Sequence, residues 1–169
     1  INVIAVINPT SNFYINDFAE VLNKETEDYI LSNSAALADR TTAQLVVVTV
    51  KSLSGKDLED YSLEIFRSWG IGHQEKNNGV LIFLAVEEHE VRIQVGDALE
   101  GRINDAKAGR FLDEYGIALF KNDEWDVGIK ALYSAILVEI YSEYNLEPPE
   151  EVSKLVAEHD YTSEDSKIE

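Results

Sequence analysis

The sequence predicts an α/β fold, a three-layer α/β/α sandwich in which helices cover both faces of a small mixed sheet of about four strands. Three observations predict it. Two runs, QLVVVTV over 44–50 and GVLIFLAV over 79–86, are apolar at nearly every position, as strands buried on both faces are. A helical pattern separates them, and such a crossover implies parallel pairing. The second run passes through Glu87-Glu88-His89 into EVRIQV over 90–95, which reads as an antiparallel hairpin around a short polar turn.

Phe13-Tyr14-Ile15, the first element, is a short extended run after Pro9. Asn23 stands where it caps a helix over 24–39, with Glu25, Glu27 and Asp28 near the positive end. Leu58, Tyr61, Ile65 and Trp69 keep helical spacing, and Gly70 supplies the stop. A further helix is expected over 105–120. Another is expected over 123–145, with Trp125, Ile129, Leu132, Ile136 and Ile140 on one stripe. Pro148-Pro149 interrupts any helix there. Val152, Leu155 and Val156 then suit one short amphipathic helix, and past Ala157 the composition reads as a disordered or linker segment. The expected organisation is an N-terminal extension over 1–12, a domain over 13–146, and an acidic tail or linker over 147–169 of the kind that leads to a membrane anchor. The apolar stretch Ile1–Ile7 suits an extra edge strand or the remnant of a leader.

Composition narrows the function. The chain has 169 residues, with 32 acidic against 14 basic side chains and a formal net charge of −18. Residues 139–169 alone hold ten acids and two bases. Nucleic-acid binders need a basic footprint to displace counterions from phosphates, and an anionic membrane surface repels such a chain; neither partner is expected. No stretch approaches the roughly 20 apolar residues of a membrane span. Small cations are the natural partners of this surface. Without cysteine there is no disulfide, thiol nucleophile or cysteine zinc site. Without methionine the chain does not start at an initiator, as when a leader has been removed or a piece excised from a longer protein.

Few catalytic constellations are available. His73, His89 and His159 lie far apart without metal-ligand spacing, and they read as exposed polar residues of loops and tail. The G-x-G of Trp69-Gly70-Ile71-Gly72 follows a helix rather than a strand. It suits helix termination and a tight turn better than a phosphate cradle. Carboxylates and amides beside turns remain: Asp17 after the first strand, Asn77-Asn78 before a buried strand, Glu100 after the hairpin, and Asp105 opening a helix. Strand ends commonly meet at one rim of an α/β sheet, and calcium takes six to eight oxygens. These five residues therefore form a candidate site if their loops converge. Each also has a plainer reading. Asp17 suits a turn or cap, Asp105 the positive end of its helix, Asn78-Gly79 a turn, and Glu100 a solvated position.

The same segments carry a family resemblance. Phe13 to Ala19, Ala43 to Val50, Trp69-Gly70-Ile71-Gly72, Asn77 to Leu81, Val91-Arg92-Ile93 and Gly96 to Asp105, taken in order, resemble the TPM domain. That family is named after thylakoid-lumen and photosystem-repair proteins and a receptor-associated membrane protein, and it includes bacterial envelope proteins. The resemblance covers roughly 13–138 and implies an α/β/α sandwich, export with a membrane tether, and an acidic pocket at the loop rim that binds calcium in some members. It also implies a link to acid phosphatase activity, ascribed to a plant member. Carried over by motif, the metal residues are Asp17, Asn77, Asn78, Glu100 and Asp105, with calcium preferred to magnesium. Trp69 matches the motif as a packing residue. Two departures stand out. Gly96 is followed by Asp97 and Ala98 where members often have Gly-Tyr-Gly, which restricts the loop and offers Asp97 as an extra ligand. Arg102 follows the Leu99-Glu100-Gly101 step, where it suits pairing with a phosphate or with Glu100.

Two functions are compatible with these residues. One is an extracytoplasmic, calcium-binding, non-catalytic module that holds or senses a membrane-protein or envelope-protein partner. The alternative is a metal-dependent acid phosphatase of low specificity, in which a cation polarises a phosphoryl oxygen while Arg102 and Arg110 hold the substrate phosphate. The lack of a nucleophile or general base near these residues in sequence favours the first. An inert structural domain is the third reading.

Overall fold

The structure, a computed structural model, describes residues 6–165. The chain divides between Gly101 and Arg102 into two compact units. The expectation of an edge strand or leader remnant at the N-terminus falls largely on residues 1–5, outside the described residues. Among the described residues no helix is long and apolar enough to cross a membrane.

The first unit holds strands β1 (Ile15–Asp17), β2 (Gln44–Val50), β3 (Gly79–Ala85) and β4 (Glu90–Val95), with helices α1 (Lys24–Thr41) and α2 (Leu58–Ser68). The sheet order is β1-β2-β3-β4. β1, β2 and β3 run parallel, and β4 returns antiparallel to β3. This is the mixed four-stranded sheet of the predicted α/β sandwich. The register pairs Val46, Val48 and Val50 with Leu81, Phe83 and Ala85. On that face α2 lays down Tyr61 and Ile65, and Tyr61 meets Phe83 edge-on at 5.3 Å. The alternate residues Leu45, Val47, Val80, Ile82 and Leu84 are equally buried. Burial on both faces is why neither run alternates.

Local signals placed the helix ends. The Asn23 side chain accepts from Thr26 N at 2.9 Å and starts α1. Asp57 does the same for α2 through Asp60 N, and Gly70 stops α2 with φ +61°. β1 begins two residues later than expected, because Phe13 has φ +38° and belongs to a turn. Buried Asn16 fixes that turn. Its Oδ1 accepts from Thr10 N (2.8 Å) and Thr10 Oγ1 (2.9 Å), and its Nδ2 donates to Phe13 O (2.6 Å). Val6 and Ile7 pack on the α2 side of the sheet, where Trp69 Nε1 donates to Ile7 O at 2.8 Å.

The second unit holds helices α3 (Asp105–Phe120), α4 (Trp125–Glu143) and α5 (Glu150–Asp165). The stripe Trp125, Ile129, Leu132, Ile136 and Ile140 is buried, and so are Tyr133, Leu137 and Tyr141. A helix apolar nearly all round is an interior one. Lys107 at 2.7 Å from Glu139 ties α3 to α4. α5 starts directly after Pro149, whose carbonyl accepts from Val152 N. It continues well past the short helix expected around Val152 to Val156, through residues whose composition reads as a linker. The reason is tertiary: His159 stacks on Tyr115 with ring centroids 4.5 Å apart, and Nε2 lies 3.8 Å from Glu114. His159 is therefore a packed residue, unlike the exposed His73 and His89 in their loops.

Candidate functional site

Parallel strands give the sheet two distinct rims, and the predicted site residues of the first unit divide between them. Asp17 ends β1 at the C-terminal rim. Its Oδ1 accepts from Thr49 Oγ1 at 2.6 Å and from Val21 N at 3.2 Å, and its Oδ2 accepts from Leu22 N at 2.9 Å. Thr49 Oγ1 in turn accepts from Ala19 N at 3.1 Å. The carboxylate thus organises the 17–22 turn, in which Glu20 is held at φ +55°. A second carboxylate stands within its field. Glu27, in the first turn of α1, has its pKa raised by burial and then by the charge of Asp17, while Lys24 opposes the shift.

Asn77, Asn78 and Glu100 lie at the opposite rim. Asn78 is fully buried. Its Oδ1 accepts from His73 N at 2.9 Å, and its Nδ2 donates to Thr42 Oγ1 at 3.1 Å. Its carbonyl accepts from Gln44 N, while Gln44 Oε1 accepts from Gly72 N at 2.8 Å. Gly96 N donates to Gly79 O at 2.8 Å, and Ala98 N donates to Asn77 O at 3.2 Å. Three glycines let these backbones approach. A Cβ on Gly72 would sit 2.5 Å from Gly79 N, and Gly72 has φ +101°. A Cβ on Gly79 would sit 2.7 Å from Gly72 N, and one on Gly96 2.9 Å from the Asn77 carbonyl carbon. The G-x-G of 70–72 is thus a helix stop followed by a close crossing. In the Leu99-Glu100-Gly101 step Leu99 is the buried anchor, and Glu100 is exposed. Asp97 is also exposed, in a one-turn 3-10 helix.

The five-residue set does not fit one cation. Gln44, beside Asn78, and Thr49, beside Asp17, are five residues apart on β2, about 17 Å at ~3.3 Å per residue. The expectation that these strand ends share a rim is corrected: β1 ends where β3 does not begin. Among the described residues no group of three or more His, Asp or Glu is placed to hold a metal ion.

In the second unit Asp105 is the exposed first residue of α3. The cap is the preceding Asn104, whose Oδ1 accepts from Lys107 N at 2.8 Å. Arg102 pairs with Glu143 at 3.2 Å rather than with Glu100, and Arg110 is exposed on α3. Sequence reasoning missed Thr49 and Glu27 as the companions of Asp17, although Glu27 was legible as a first-turn acid. It also missed a cleft of about 540 Å³ at the C-terminal rim, lined by Leu53, Lys56, Asp57, Glu59, Glu88 and Arg92 among others. There Glu88 accepts from Leu53 N through both carboxylate oxygens, at 2.8 and 2.9 Å.

Comparison with known proteins bears on this arrangement. The profile of the TPM domain matches residues 15–139. Among solved structures, the chain is similar to the N-terminal domain of a protein from P. gingivalis, with 26% identity, a TM-score of 0.73, and 80% of this chain and 87% of that chain covered. It is similar in fold to the N-terminal domain of the cg2496 protein from Corynebacterium glutamicum, with 19% identity, a TM-score of 0.56 and coverage of 84% and 86%. It is likewise similar in fold to the BA42 protein from the psychrophilic bacterium Bizionia argentinensis, with 18% identity, a TM-score of 0.60 and coverage of 73% and 84%. A search of the curated proteins finds no match.

Proposed function

The chain belongs to the TPM domain family, and on that premise we propose that it is a non-catalytic, extracytoplasmic interaction module whose first unit binds a divalent cation at Asp17. The observation that carries the reading is the Asp17 carboxylate at the C-terminal rim, held in place by Thr49 Oγ1, Val21 N and Leu22 N, with the Glu27 carboxylate of α1 near enough to feel its charge. Two carboxylates within each other's field, one already preset by Thr49 and the 17–22 turn, supply the charge that a hard cation seeks. Backbone carbonyls and water would complete the six to eight oxygens calcium takes. Bound there, the ion would neutralise the pair and brace the 17–22 turn. Asn77 and Asn78 stand outside this site and serve the opposite rim. Glu100 leads out of that rim into solvent. Arg102, a departure from the family pattern that suited holding a substrate phosphate, is engaged by Glu143, so the arrangement gives the phosphatase alternative no added support.

The test is thermal unfolding in chelator, in millimolar calcium and in millimolar magnesium. Ligand at about 100 times its Kd stabilises the folded state by ~2.7 kcal/mol, about 5–11 °C for a chain of this size. Calcium is expected to give such a rise, magnesium less. The rise is expected to vanish in Asp17→Asn, to shrink in Glu27→Gln and to persist in Asn78→Ala. Asp105→Asn, in the second unit, is expected to leave it unchanged. No calcium response in the parent chain refutes the reading, as does a full response in Asp17→Asn.

A further inference from the structure

We propose that the cleft of about 540 Å³ at the C-terminal rim of the first unit binds a short zwitterionic peptide by its two free termini. Its size falls in the range of small-molecule sites, and the C-terminal ends of parallel strands are where α/β sheets take ligands. The walls are the loop leaving β2 and the turn joining β3 to β4. They are tied to each other in the free protein. Val86 N donates to Val50 O, Glu87 N to Lys51 O, and Leu53 N to both carboxylate oxygens of Glu88. Such prior ordering lowers the cost of binding.

The lining charges select the ligand. Two cations keep donors to spare. Half-buried Lys56 is held over the Tyr61 ring, 4.5 Å from its centroid, and among the described residues no carboxylate forms an ion pair with it. Arg92 gives Nη2 to Glu59 at 3.2 Å, while its Nε is buried without a hydrogen-bond partner. A small turn of the guanidinium toward a ligand carboxylate would meet that need. Three of the four acids are engaged: Glu88 by Leu53 N, Glu59 by Arg92, and Asp57 by Asp60 N as the α2 cap. Glu90 is exposed at the cleft wall. Two cations against four acids, in a chain of −18, repel a dianion such as phosphate. Lys56 and Arg92 repel a simple cation. A zwitterion carries no net charge against either field. Its carboxylate suits Lys56 and Arg92, and its ammonium suits Glu90 and the open lone pairs of Glu88.

This inference goes beyond the cation reading and uses none of its residues. The experiment is therefore run in chelator, on the parent chain and on Asp17→Asn alike. The probe is trialanine with both termini free, titrated while the amide chemical shifts are followed. Shifts are expected at residues 53–59 and 88–92, in both proteins, with millimolar or tighter affinity. Trialanine amide and N-acetyl-trialanine each lack one terminal charge and are expected to bind about tenfold more weakly. Inorganic phosphate is expected not to bind. Lys56→Gln is expected to remove most of the preference for the free acid over the amide, and Lys56→Arg to keep it. Glu90→Gln is expected to weaken the free peptide while leaving that preference as it was. The dispersed amide spectrum shows that each variant is folded. No shifts at about 10 mM trialanine, equal binding of the free and blocked peptides, tighter binding of phosphate, or an unchanged acid-over-amide preference in Lys56→Gln would each overturn the inference.

Discussion

Gly96→Ala tests whether the glycines of the N-terminal rim serve backbone packing. Gly96 has φ −71° and ψ 153°, which alanine adopts without strain, so the cost is steric. The new Cβ would lie 2.9 Å from the Asn77 carbonyl carbon, closer still to its oxygen, and 3.2 Å from Gly79 N. All three neighbours are backbone, so relief requires the Asn77 carbonyl to move. That movement breaks Ala98 N to Asn77 O and disturbs Gly96 N to Gly79 O, the bonds that dock the end of β4 on the start of β3. Two such bonds are worth ~1 kcal/mol each, and overpacking adds ~1–3 kcal/mol. The stiffer unfolded chain returns ~0.4–1 kcal/mol. The expected net loss is about 3 kcal/mol, or about 6–12 °C in Tm. Gly101→Ala is the control, because a Cβ there meets nothing within 4 Å; it is expected to stay within ~0.5 kcal/mol of the parent. Urea and thermal unfolding, both in chelator, measure the difference. If Gly96→Ala is as stable as Gly101→Ala, or loses stability only when calcium is present, the close-crossing argument fails.

Asn78→Ala is expected to cost about 2–3 kcal/mol with or without calcium, because it leaves buried hydrogen-bond partners unmet; a loss seen only with calcium would make Asn78 a ligand after all. Glu27→Gln is expected to raise Tm at pH 7 in chelator. Glu27 has a folded pKa above its unfolded one, so its stabilising contribution is present below the ordinary glutamate value of about 4.3 and is lost as pH rises through the folded pKa. The gain is therefore expected to fade below that value and to reverse when calcium binds, which a pH series of melts with and without the ion reads directly. Gly109→Ala, within α3 with open space at its Cβ, is expected to stabilise by ~0.5–1 kcal/mol, seen as a later urea midpoint.

Much of the fold was written locally. Gln44–Val50 and Gly79–Ala85 are strands because β-branched and other apolar residues stand at nearly every position, and that same continuity announced burial on both faces. Asn23 and Gly70 marked helix ends because capping and a left-handed φ are demands of one residue on its near neighbours. The site was less legible. Asp17 could be recognised as a turn carboxylate, but its partner Thr49 lies 32 residues away, and only strand pairing brings them together. Parallel pairing already implies that the loop leaving β1 and the loop entering β3 occupy opposite rims; grouping Asp17 with Asn77 and Asn78 overlooked that consequence.

The sequence by itself determined the order of strands and helices, the hairpin, the acidic surface and the family, since these rest on periodicity, propensity, charge and motif. Tertiary structure alone decided which loops meet, that Asn78 spends its amide on His73 and Thr42, and that α5 continues through an acidic segment by seating His159 on Tyr115. Those outcomes depend on contacts between residues distant in the chain. Their free energy comes from burial and mutual hydrogen bonding that no local stretch can express alone.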